Sequence, residues 1–437
     1  MDYISPPRNA AAQAVLDFIA KSPSCFHAVR AAEQCLRAGG FERLHEEEAW
    51  RVLPGHAYYV IRNNSSIISF FVPEKMFPAF RMCASHCDSP AFKVKERPEI
   101  KAGRSCITIN VEKYGGTLPA HWFDRPLSVA GRVVLRSQAD SLRFEERLFN
   151  VDRDLLLIPS LAIHLTRDAA REKDVSVQNE MLPVLFCGDG EVLLADIIAQ
   201  YADVPRGDIL GSDIFLYDRA AGTFWGARNE FVAAPRIDDL AGAYTSLLGF
   251  MDACRDNTRC ASVHCMFDNE EVGSLTRQGA DSTFLHDVLV RLNHALGRSV
   301  EDYYTAIARS FLLSVDGAHA AHPNYAAKAD PVNRPVINGG PVIKFSAAQK
   351  YTSDGIGAAM FRAVCERAGV PHQVFTNHSD IAGGATLGNI SNAHVSVRAA
   401  DVGLPQWAMH SPCESAGALD MEYMREAVAA FYAYSEG

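Results

Sequence analysis

The order of apolar and polar positions divides the chain into three stretches, and the first predicts helices followed by strands. Helical spacing runs over about 9–20 and again from near Phe26 to Gly39–Gly40, where two glycines favour a helix end. The runs AYYVIRN and SSIISFFV predict two strands of a hairpin that turns at Asn63–Asn64. The run FRMCASH predicts a further strand that ends at His86.

The second stretch, from about Pro90 to Phe231, consists mainly of short strand-like runs. They are SCITINVEKY, LSVAGRVVLR, LRFEERLFNV and DIFLYD, and one helical run, EVLLADIIAQYA, interrupts them. This pattern predicts a mostly β insert with its own core.

The third stretch alternates strands with helices. The apolar runs ASVHCMF, RSFLLSV and HVSVRAA alternate with helical patterns at 241–253, 283–296, 355–368 and 421–434. Such alternation is typical of an α/β sheet with parallel strands. The simplest architecture is therefore one α/β domain interrupted by a β-rich domain.

Composition and net charge exclude some classes of binding partner and indicate the cellular compartment. The 437 residues suffice for two domains, and 42 basic against 52 acidic residues give a formal net charge of −10. That charge argues against nucleic acid and anionic membranes as partners, because both attract basic patches. The start, MDYISPPRNA, lacks a secretory pattern, and no run is long and apolar enough to span a membrane. Since the eleven cysteines are scattered and odd in number, we expect a cytoplasmic protein.

Residue types that bind metal ions recur where predicted strands end or a helix begins. The set comprises His86, Asp88, Asp238, Asp239, Glu270, Glu271, Asp316 and His410. In open α/β sheets, ligands gather beyond the carboxyl ends of the strands. If these segments meet at one edge, their side chains form a site for two metal ions.

Each member of the set alone has a more ordinary interpretation. A single histidine is usually structural, the pair Asp238–Asp239 before a helix is typical of an N-cap, and Glu270–Glu271 would usually lie on a solvated loop. The joint pattern around one sheet favours a metal site. Zinc binds histidine nitrogen and carboxylate oxygen, and its charge offsets the repulsion of adjacent glutamates. One glutamate then binds the ion, and the other serves as a general base.

The short segment CASHC, with Cys83 and Cys87, is a weaker metal candidate. No second cysteine pair of matching spacing accompanies it, which argues against a structural zinc site there.

On these residues the chain resembles the aspartyl aminopeptidases, a family of dinuclear zinc exopeptidases. The resemblance covers nearly the whole chain, in SPSCFHAV, RNNSSIISF, SHCDSP, VEKYGGTLPAHWFDRPLSVAGRV, IPSLAIHL, NEFVAAPRIDDL, FDNEEVGS, SVDGAHAAHPNY, NGGPVIKFSAAQKYTSDG and MHSPCESAG. It implies a catalytic α/β/α domain of the zinc-exopeptidase type at 1–88 and 234–437. It also implies a β-rich dimerisation insert at 89–233, with the dimers assembling into a tetrahedral dodecamer.

The resemblance implies a ligand set for two zinc ions in each subunit. Asp238 would bridge both ions. His86 and Asp316 would complete one ion, and Glu271 and His410 the other. Cobalt or manganese are possible substitutes for zinc with such ligands.

It also implies catalytic residues beyond the ligands. Glu270 would act as the general base, and Asp88 would position His86. His164, in LAIHL, would reach the active site of a neighbouring subunit, which makes assembly a condition for activity.

The implied reaction releases an N-terminal residue, preferentially aspartate or glutamate, from a peptide. Lys344 would meet the substrate carboxylate, and Tyr351 would shape the same end of the site. His319 would contact the substrate or hold the loop after Asp316, and His322 would hold that loop.

Two positions depart from the family pattern without affecting the ligand set. Asp239 stands where many relatives have asparagine, and Cys25 where proline is common.

Two other functions fit the same residues. A dinuclear carboxypeptidase or deacylase would need a basic clamp for a substrate carboxylate, and Arg236 and Arg277 are candidates for one. A non-enzymatic shell protein with a vestigial site is the third interpretation, and the complete ligand set together with Glu270 argues against it.

Overall fold

The computed structural model describes residues 10–137, 143–165, 175–254 and 259–434. Its chain forms two compact units, the first of 1–88, 222–409 and 413–437, and the second of 89–221 and 410–412. Asn9 and Leu142, where the sequence suggested the start of a helix and of a strand, lie outside the described residues.

Ten α-helices occur in the described ranges. They are α1 (Ala10–Ala20), α2 (Cys25–Ala38), α3 (Val177–Glu180), α4 (Leu194–Ala202), α5 (Ile237–Cys254), α6 (Phe284–Ala295), α7 (Val300–Ala308), α8 (Gly355–Ala368), α9 (Leu387–His394) and α10 (Ala418–Ala433). Local chemistry sets several of their ends. Ser299 and Asp302 form a capping box at the start of α7, and Gly369, at φ +68°, ends α8.

The described part of the chain contains twenty strands, which fall into three groups along the sequence. The first group is β1 (Glu42–Arg43), β2 (Ala57–Arg62), β3 (Ser66–Phe71) and β4 (Phe80–His86). The second is β5 (Ala91–Ala102), β6 (Cys106–Tyr114), β7 (Leu127–Arg136), β8 (Phe144–Asn150), β9 (Val184–Cys187) and β10 (Ile209–Asp218). The third is β11 (Thr223–Trp225), β12 (Phe231–Ala234), β13 (Ala261–Phe267), β14 (Phe311–Val315), β15 (Ala318–His319), β16 (Val342–Phe345), β17 (Gln373–Thr376), β18 (Arg398–Gly403), β19 (Pro405–Trp407) and β20 (Glu414–Gly417).

A nine-stranded sheet forms the centre of the first unit, in the order β1-β2-β3-β13-β4-β14-β18-β16-β17. Its middle strands β13, β4, β14 and β18 are parallel, whereas β3 pairs antiparallel with β13 and β16 antiparallel with β18. The sheet is therefore mixed rather than wholly parallel. Strands β4, β13 and β14 are buried along their whole length, as expected for central strands covered on both faces.

Helices cover both faces of this sheet. Alternate residues of β4, such as Phe80 and Met82, join a core with Val288 of α6 and Leu387 of α9. On the opposite face, His264 of β13 stacks on Phe250 of α5, which also contacts α10. This alternation explains why the strands appear in the sequence as continuous apolar runs.

The second unit contains a six-stranded antiparallel sheet in the order β8-β7-β10-β5-β6-β9, with its own apolar core. A disulfide joins Cys106 of β6 to Cys187 of β9, a pair that the sequence did not single out. The predicted fold class, an α/β domain with a β-rich insert, is confirmed.

A smaller five-stranded sheet, β11-β12-β20-β19-β15, belongs to the first unit. The sequence assigned 222–233 to the insert, but β12 pairs antiparallel with β20 and thus joins the first unit. In the described ranges, no helix combines the length and the apolar composition that a membrane crossing needs.

Candidate metal centre

The candidate ligands lie where neighbouring parallel strands end. His86 is the last residue of β4 and lies opposite Phe267, the last residue of β13. Asp316 directly follows β14, the other parallel neighbour of β4. Because carboxyl ends of parallel strands share one edge, residues distant in the sequence meet there.

His86 lies in the middle of this cluster and is 1 % exposed. Its Nε2 lies 3.8 Å from Asp238 Oδ1 and 3.8 Å from Asp316 Oδ1. Its Nδ1 lies 3.1 Å from the backbone oxygen of Asp88 and 3.4 Å from Asp88 Oδ1. Nε2 thus faces the two carboxylates, while Asp88 fixes the orientation of the ring from the other side.

The two adjacent aspartates occupy the first turn of α5, where both backbones are non-helical and the peptide bond between them is cis. The backbone N–H of Asp238 donates to Glu414 Oε2 at 2.9 Å. Asp239 Oδ2 accepts the backbone N–H of His86 at 3.3 Å. Asp238 therefore presents its carboxylate to the cluster, and Asp239 fastens α5 to the end of β4.

The two adjacent glutamates form a 3₁₀ turn, Glu270–Val272, just after β13. Their backbone N–H groups donate to the two oxygens of Asp88, each at 3.1 Å. Asn269, at φ +62°, begins this turn, and asparagine is one of the residues that tolerates such a backbone.

Three overlapping groups of side chains offer ligand atoms that lie within 4.8 Å of one another. The groups are His86–Asp238–Asp316, Asp238–Glu271–His410 and His86–Glu270–Glu271. His410, at φ +69°, also has its Nδ1 3.2 Å from the backbone oxygen of Gly116. Five of the residues proposed from sequence as metal ligands thus occur together with Glu270.

Electrostatics shows how costly this concentration of carboxylates is. Burial raises the pKa of Glu270 to about 8, and it raises the pKa of Glu271 well above its usual value, with further increase from Asp238. Burial opposes the charged form of His86, but the carboxylates of Asp316 and Asp88 raise its pKa well above the usual value. Divalent cations would offset this repulsion, and the histidine nitrogens and carboxylate oxygens suit zinc.

Asp239 is buried next to other carboxylates of the cluster. Burial, together with the carboxylates of Asp316 and Asp238, raises its pKa well above the usual range, although His86 opposes the shift. The upward shift favours the neutral acid, whose shape is nearly that of the asparagine found at this position in the family pattern.

Lys344 is the one lysine among the residues proposed for the site, and it is 2 % exposed. Its Nζ donates to the backbone oxygens of Asp316 and Gly317, at 3.3 and 3.1 Å, and lies 3.6 Å from Asp316 Oδ2. Burial alone would raise the pKa of Asp316, but Lys344 and His86 hold it well below the usual value. The ring of Tyr351 lies 5.2 Å from Nζ.

The remaining predicted residues lie outside the ligand cluster. His319, in β15, contacts the ring of Phe375, and His322 contacts Tyr325. His164 lies in the exposed 3₁₀ turn Ile163–Leu165 of the second unit. In the described ranges no cysteine joins a candidate ligand group, and the thiol of Cys87 donates to backbone oxygens instead.

Sequence reasoning missed three residues beside the cluster. Glu414 is 1 % exposed and holds the backbone of Asp238, Gly116 abuts His410, and Gln406 is buried beside Gly317. The only sequence signal for Glu414 was its place in the string MHSPCESAG. A buried carboxylate that binds a backbone amide has no local pattern of its own.

Comparisons with known proteins agree with this geometry. Residues 18–432 match the family described as Peptidase_M18, aminopeptidase I zinc metalloprotease (M18). The chain is 42 % identical over 431 residues to a probable M18 family aminopeptidase 2 of Clostridium acetobutylicum, with 96 % of this chain and 98 % of the relative covered. A probable M18 family aminopeptidase 2 of Pseudomonas aeruginosa is 38 % identical over 432 residues, with 97 % and 98 % covered.

A solved structure agrees over the same length. The structure described as the Ape4 and Nbr1 complex superposes with a TM-score of 0.94 at 33 % identity, covering 99 % of this chain and 88 % of the other. The resemblance of the sequence to zinc exopeptidases of the aminopeptidase type is thus confirmed at the level of the M18 family. The ligand geometry, the family match along 18–432 and the similarity to aminopeptidases of two bacteria lead to one conclusion: this chain belongs to the M18 family of zinc metalloproteases and is an aminopeptidase.

Proposed function

We propose that the protein is a dinuclear zinc aminopeptidase that releases N-terminal aspartate or glutamate from peptides. One observation carries the dinuclear part. Asp238 shares one ligand group with His86 and Asp316 and a second with Glu271 and His410. A carboxylate common to two groups is where a bridging ligand would lie, and each group then supplies two further ligands to its own ion.

Bound zinc supplies Lewis acidity, which polarises a carbonyl and lowers the pKa of water. Within the chain, Glu270 takes the proton of the attacking water and returns it to the leaving amine. Asp88 holds the Glu270 backbone in place at 3.1 Å and turns the His86 ring towards the cluster. Glu271 and Glu270 thus divide the work of ligand and base.

The preference for acidic residues rests on Lys344. Its ammonium group is buried beside Asp316 and lies 5.2 Å from the centre of the Tyr351 ring. A buried cation attracts a carboxylate more strongly than an exposed one does. Lys344→Leu should therefore reduce kcat/KM for Asp and Glu substrates more than for Leu substrates. Equal losses of kcat/KM for the acidic and the Leu substrates would show that Lys344 stabilises Asp316 and does not set the specificity.

We further propose a homo-oligomer built from dimers through the β-rich unit, with His164 contributing to a neighbouring site. Its support is a series of exposed apolar residues on both sides of His164. Leu161, Ile163 and Leu165 are 62, 76 and 72 % exposed. Monomers rarely expose such a run, and a partner subunit would cover it. The dodecameric number rests on the family resemblance, and the cytoplasmic location rests on the scattered, odd-numbered cysteines.

The decisive experiment measures turnover of Asp-, Glu-, Leu- and Ala-p-nitroanilides beside N-acyl-aspartate, before and after chelation and with zinc, cobalt or manganese added back. We expect the free amino substrates to be cleaved, acidic ones fastest, with two zinc ions in each subunit. Cleavage of only N-acyl substrates would favour the deacylase. One bound ion at full activity would refute the dinuclear mechanism.

A further inference from the structure

A cavity of about 340 Å³ lies in the first unit, beside the candidate metal centre. Its walls come from β15 and the loop that follows it, from the end of β17, from the segment 381–384 and from β19. This volume is within the usual range of small-ligand pockets.

The charge of this cavity is opposite to that of the chain. Basic and imidazole side chains line it, namely His319, His322, Lys328, Arg334 and His378. Its described lining contains no aspartate or glutamate, although the chain as a whole carries a net charge of −10. Among the described residues, neither Lys328 nor Arg334 has a carboxylate partner within 4.0 Å. The cavity therefore suits a negatively charged ligand.

Two of the imidazoles are arranged as hydrogen-bond donors. The Nδ1 atom of His322 accepts the backbone N–H of Asn324 at 3.1 Å, and Nδ1 of His378 accepts that of Asp380 at 3.2 Å. A neutral ring whose Nδ1 accepts a hydrogen bond carries its proton on Nε2. Each neutral ring thus has an N–H donor in addition to the two cations, and for His378 the carboxylate Oδ2 of Asp380 also lies 4.0 Å from Nδ1.

Gln406 connects the cavity to the metal centre. It is 2 % exposed, lines the cavity, and its Nε2 donor has no hydrogen-bond partner among the described residues. A Cβ added at Gly317 would lie 3.0 Å from this Nε2 and 2.9 Å from Asp238 Oδ1. A buried amide without an acceptor, one glycine away from a metal ligand, is placed to bind an oxygen atom of a substrate.

We propose that this cavity, the basic pocket, binds a carboxylate on the part of the peptide downstream of the released residue, while Gln406 donates to a backbone oxygen of the peptide. The carboxylate is either a Glu or Asp side chain or the free C-terminus of a short peptide. This inference rests on the proposed aminopeptidase mechanism and adds a second acidic requirement to its substrates, on the leaving side of the bond.

The test uses peptide pairs that differ only downstream of the bond. The first residue X is the one that the enzyme releases fastest. X-Glu-Ala-amide is compared with X-Gln-Ala-amide, and X-Ala with its free carboxylate is compared with X-Ala-amide. We expect the charged member of at least one pair to have roughly fivefold higher kcat/KM in low salt, mainly through KM, and the advantage to shrink in 1 M salt. The pair that responds identifies the source of the carboxylate.

Lys328→Gln and Arg334→Gln should each reduce that advantage about two- to threefold, and the double variant should abolish it. Arg362→Gln, which removes an exposed arginine on α8, is the matched control and should leave it unchanged. Cleavage of X-p-nitroanilide, which has no downstream residue, should be the same in the wild type and all four variants.

The variant Gln406→Met tests whether Gln406 binds the peptide or only contributes to packing. Because it removes a buried donor without a partner, Tm should stay equal or rise, while kcat/KM for the peptides falls. A lower Tm with unchanged peptide kinetics would assign Gln406 to packing. If the enzyme cleaves the charged and the neutral peptide of each pair equally well, the proposed role of the basic pocket is wrong, while the aminopeptidase mechanism stands. Absence of cleavage at every free N-terminus would instead refute the proposed function.

Discussion

The carboxylate of Asp88 accepts the backbone N–H of Glu270 at 3.1 Å, and its other oxygen accepts the N–H of Glu271. Asp88 is also in contact with His86. One side chain therefore fixes the end of β4 relative to the turn that follows β13. The positions of a candidate ligand and of the candidate base depend on it together.

Replacing Asp88 by asparagine should weaken both zinc binding and catalysis. The amide keeps one acceptor oxygen but presents N–H groups to the other backbone donor, so either Glu270 or Glu271 loses its hydrogen bond. We expect zinc affinity and kcat/KM to fall about 10- to 100-fold, as for other groups that support metal ligands. Competitive chelator titration and steady-state kinetics measure the two effects.

Asp354→Asn is the control, because Asp354 caps α8 by accepting the N–H of Gly357 and asparagine caps equally well. It should change neither quantity. Unchanged zinc affinity in Asp88→Asn would show that the His86 ring is held without Asp88.

Glu270→Gln should abolish activity and leave metal bound. The amide has similar shape but no basic oxygen, so kcat should fall roughly 10²- to 10⁴-fold. Glu271→Gln is the matched comparison and should lose metal along with activity. Zinc content by atomic emission and kcat on one substrate distinguish the two. Loss of zinc from Glu270→Gln would make Glu270 a ligand, which its group with His86 and Glu271 permits.

Gly116→Ala should disturb His410. The added Cβ would lie 2.9 Å from His410 Nδ1, closer than side-chain carbons approach, and 3.2 Å from Cε1, which is also tight, so the ring must move. We expect weaker binding of one of the two zinc ions, seen as one lost equivalent in a chelator titration, and a kcat/KM about tenfold lower.

Gly207→Ala, in the same unit, has nothing within 4 Å of its added Cβ and should behave as the wild type. If Gly116→Ala retains both ions at wild-type affinity, His410 tolerates the shift and is not a tightly held ligand.

Acid should destabilise the fold through His264. Burial lowers the pKa of His264 to about 3, whereas an unfolded histidine titrates near its usual value of about 6.5. Between pH 3 and 6.5, His264 therefore binds a proton in the unfolded state but not in the folded state. Stability is thus complete above about pH 6.5 and is lost as the pH falls through 3, by roughly 5 kcal/mol in total.

His264→Gln removes this titration and keeps a polar group for Ser246 Oγ, which lies 2.9 Å from His264 Nε2. Its Tm should fall less steeply between pH 6.5 and 4, although it starts lower at pH 7. His56→Gln, at a half-exposed site, should keep the wild-type slope. Parallel Tm curves for His264→Gln and wild type would contradict the assignment.

Much of the fold follows from the sequence because its local signals are strong. The hairpin of β2 and β3, the buried runs of β4, β13 and β14, and helix α8 all occur where the patterns predicted them. Strand β5 was missed, since Pro98 and its charged positions hide the alternation. Strands β15, β19 and β20 have only two to four residues, too few for a period to show.

The site could be foreseen only as residue types at strand ends. Placing β4 between β13 and β14 requires long-range pairing that no local pattern encodes. The same holds for Glu414, whose hydrogen bond to Asp238 joins residues 176 positions apart. The sequence suggested only that Lys344 meets the substrate carboxylate. Its hydrogen bonds to the backbone oxygens of Asp316 and Gly317 could not be foreseen, because they depend on the antiparallel pairing of β16 with β18.

The candidate ligands extend from His86 to His410 along a chain of 437 residues. During synthesis the N-terminal residues leave the ribosome first. A nascent chain therefore lacks a complete set of candidate ligands until His410 has been translated, and products that stop before His410 lack one ligand. Peptide cleavage would begin only after His410 has folded against the other ligands, which protects neighbouring nascent chains from early hydrolysis.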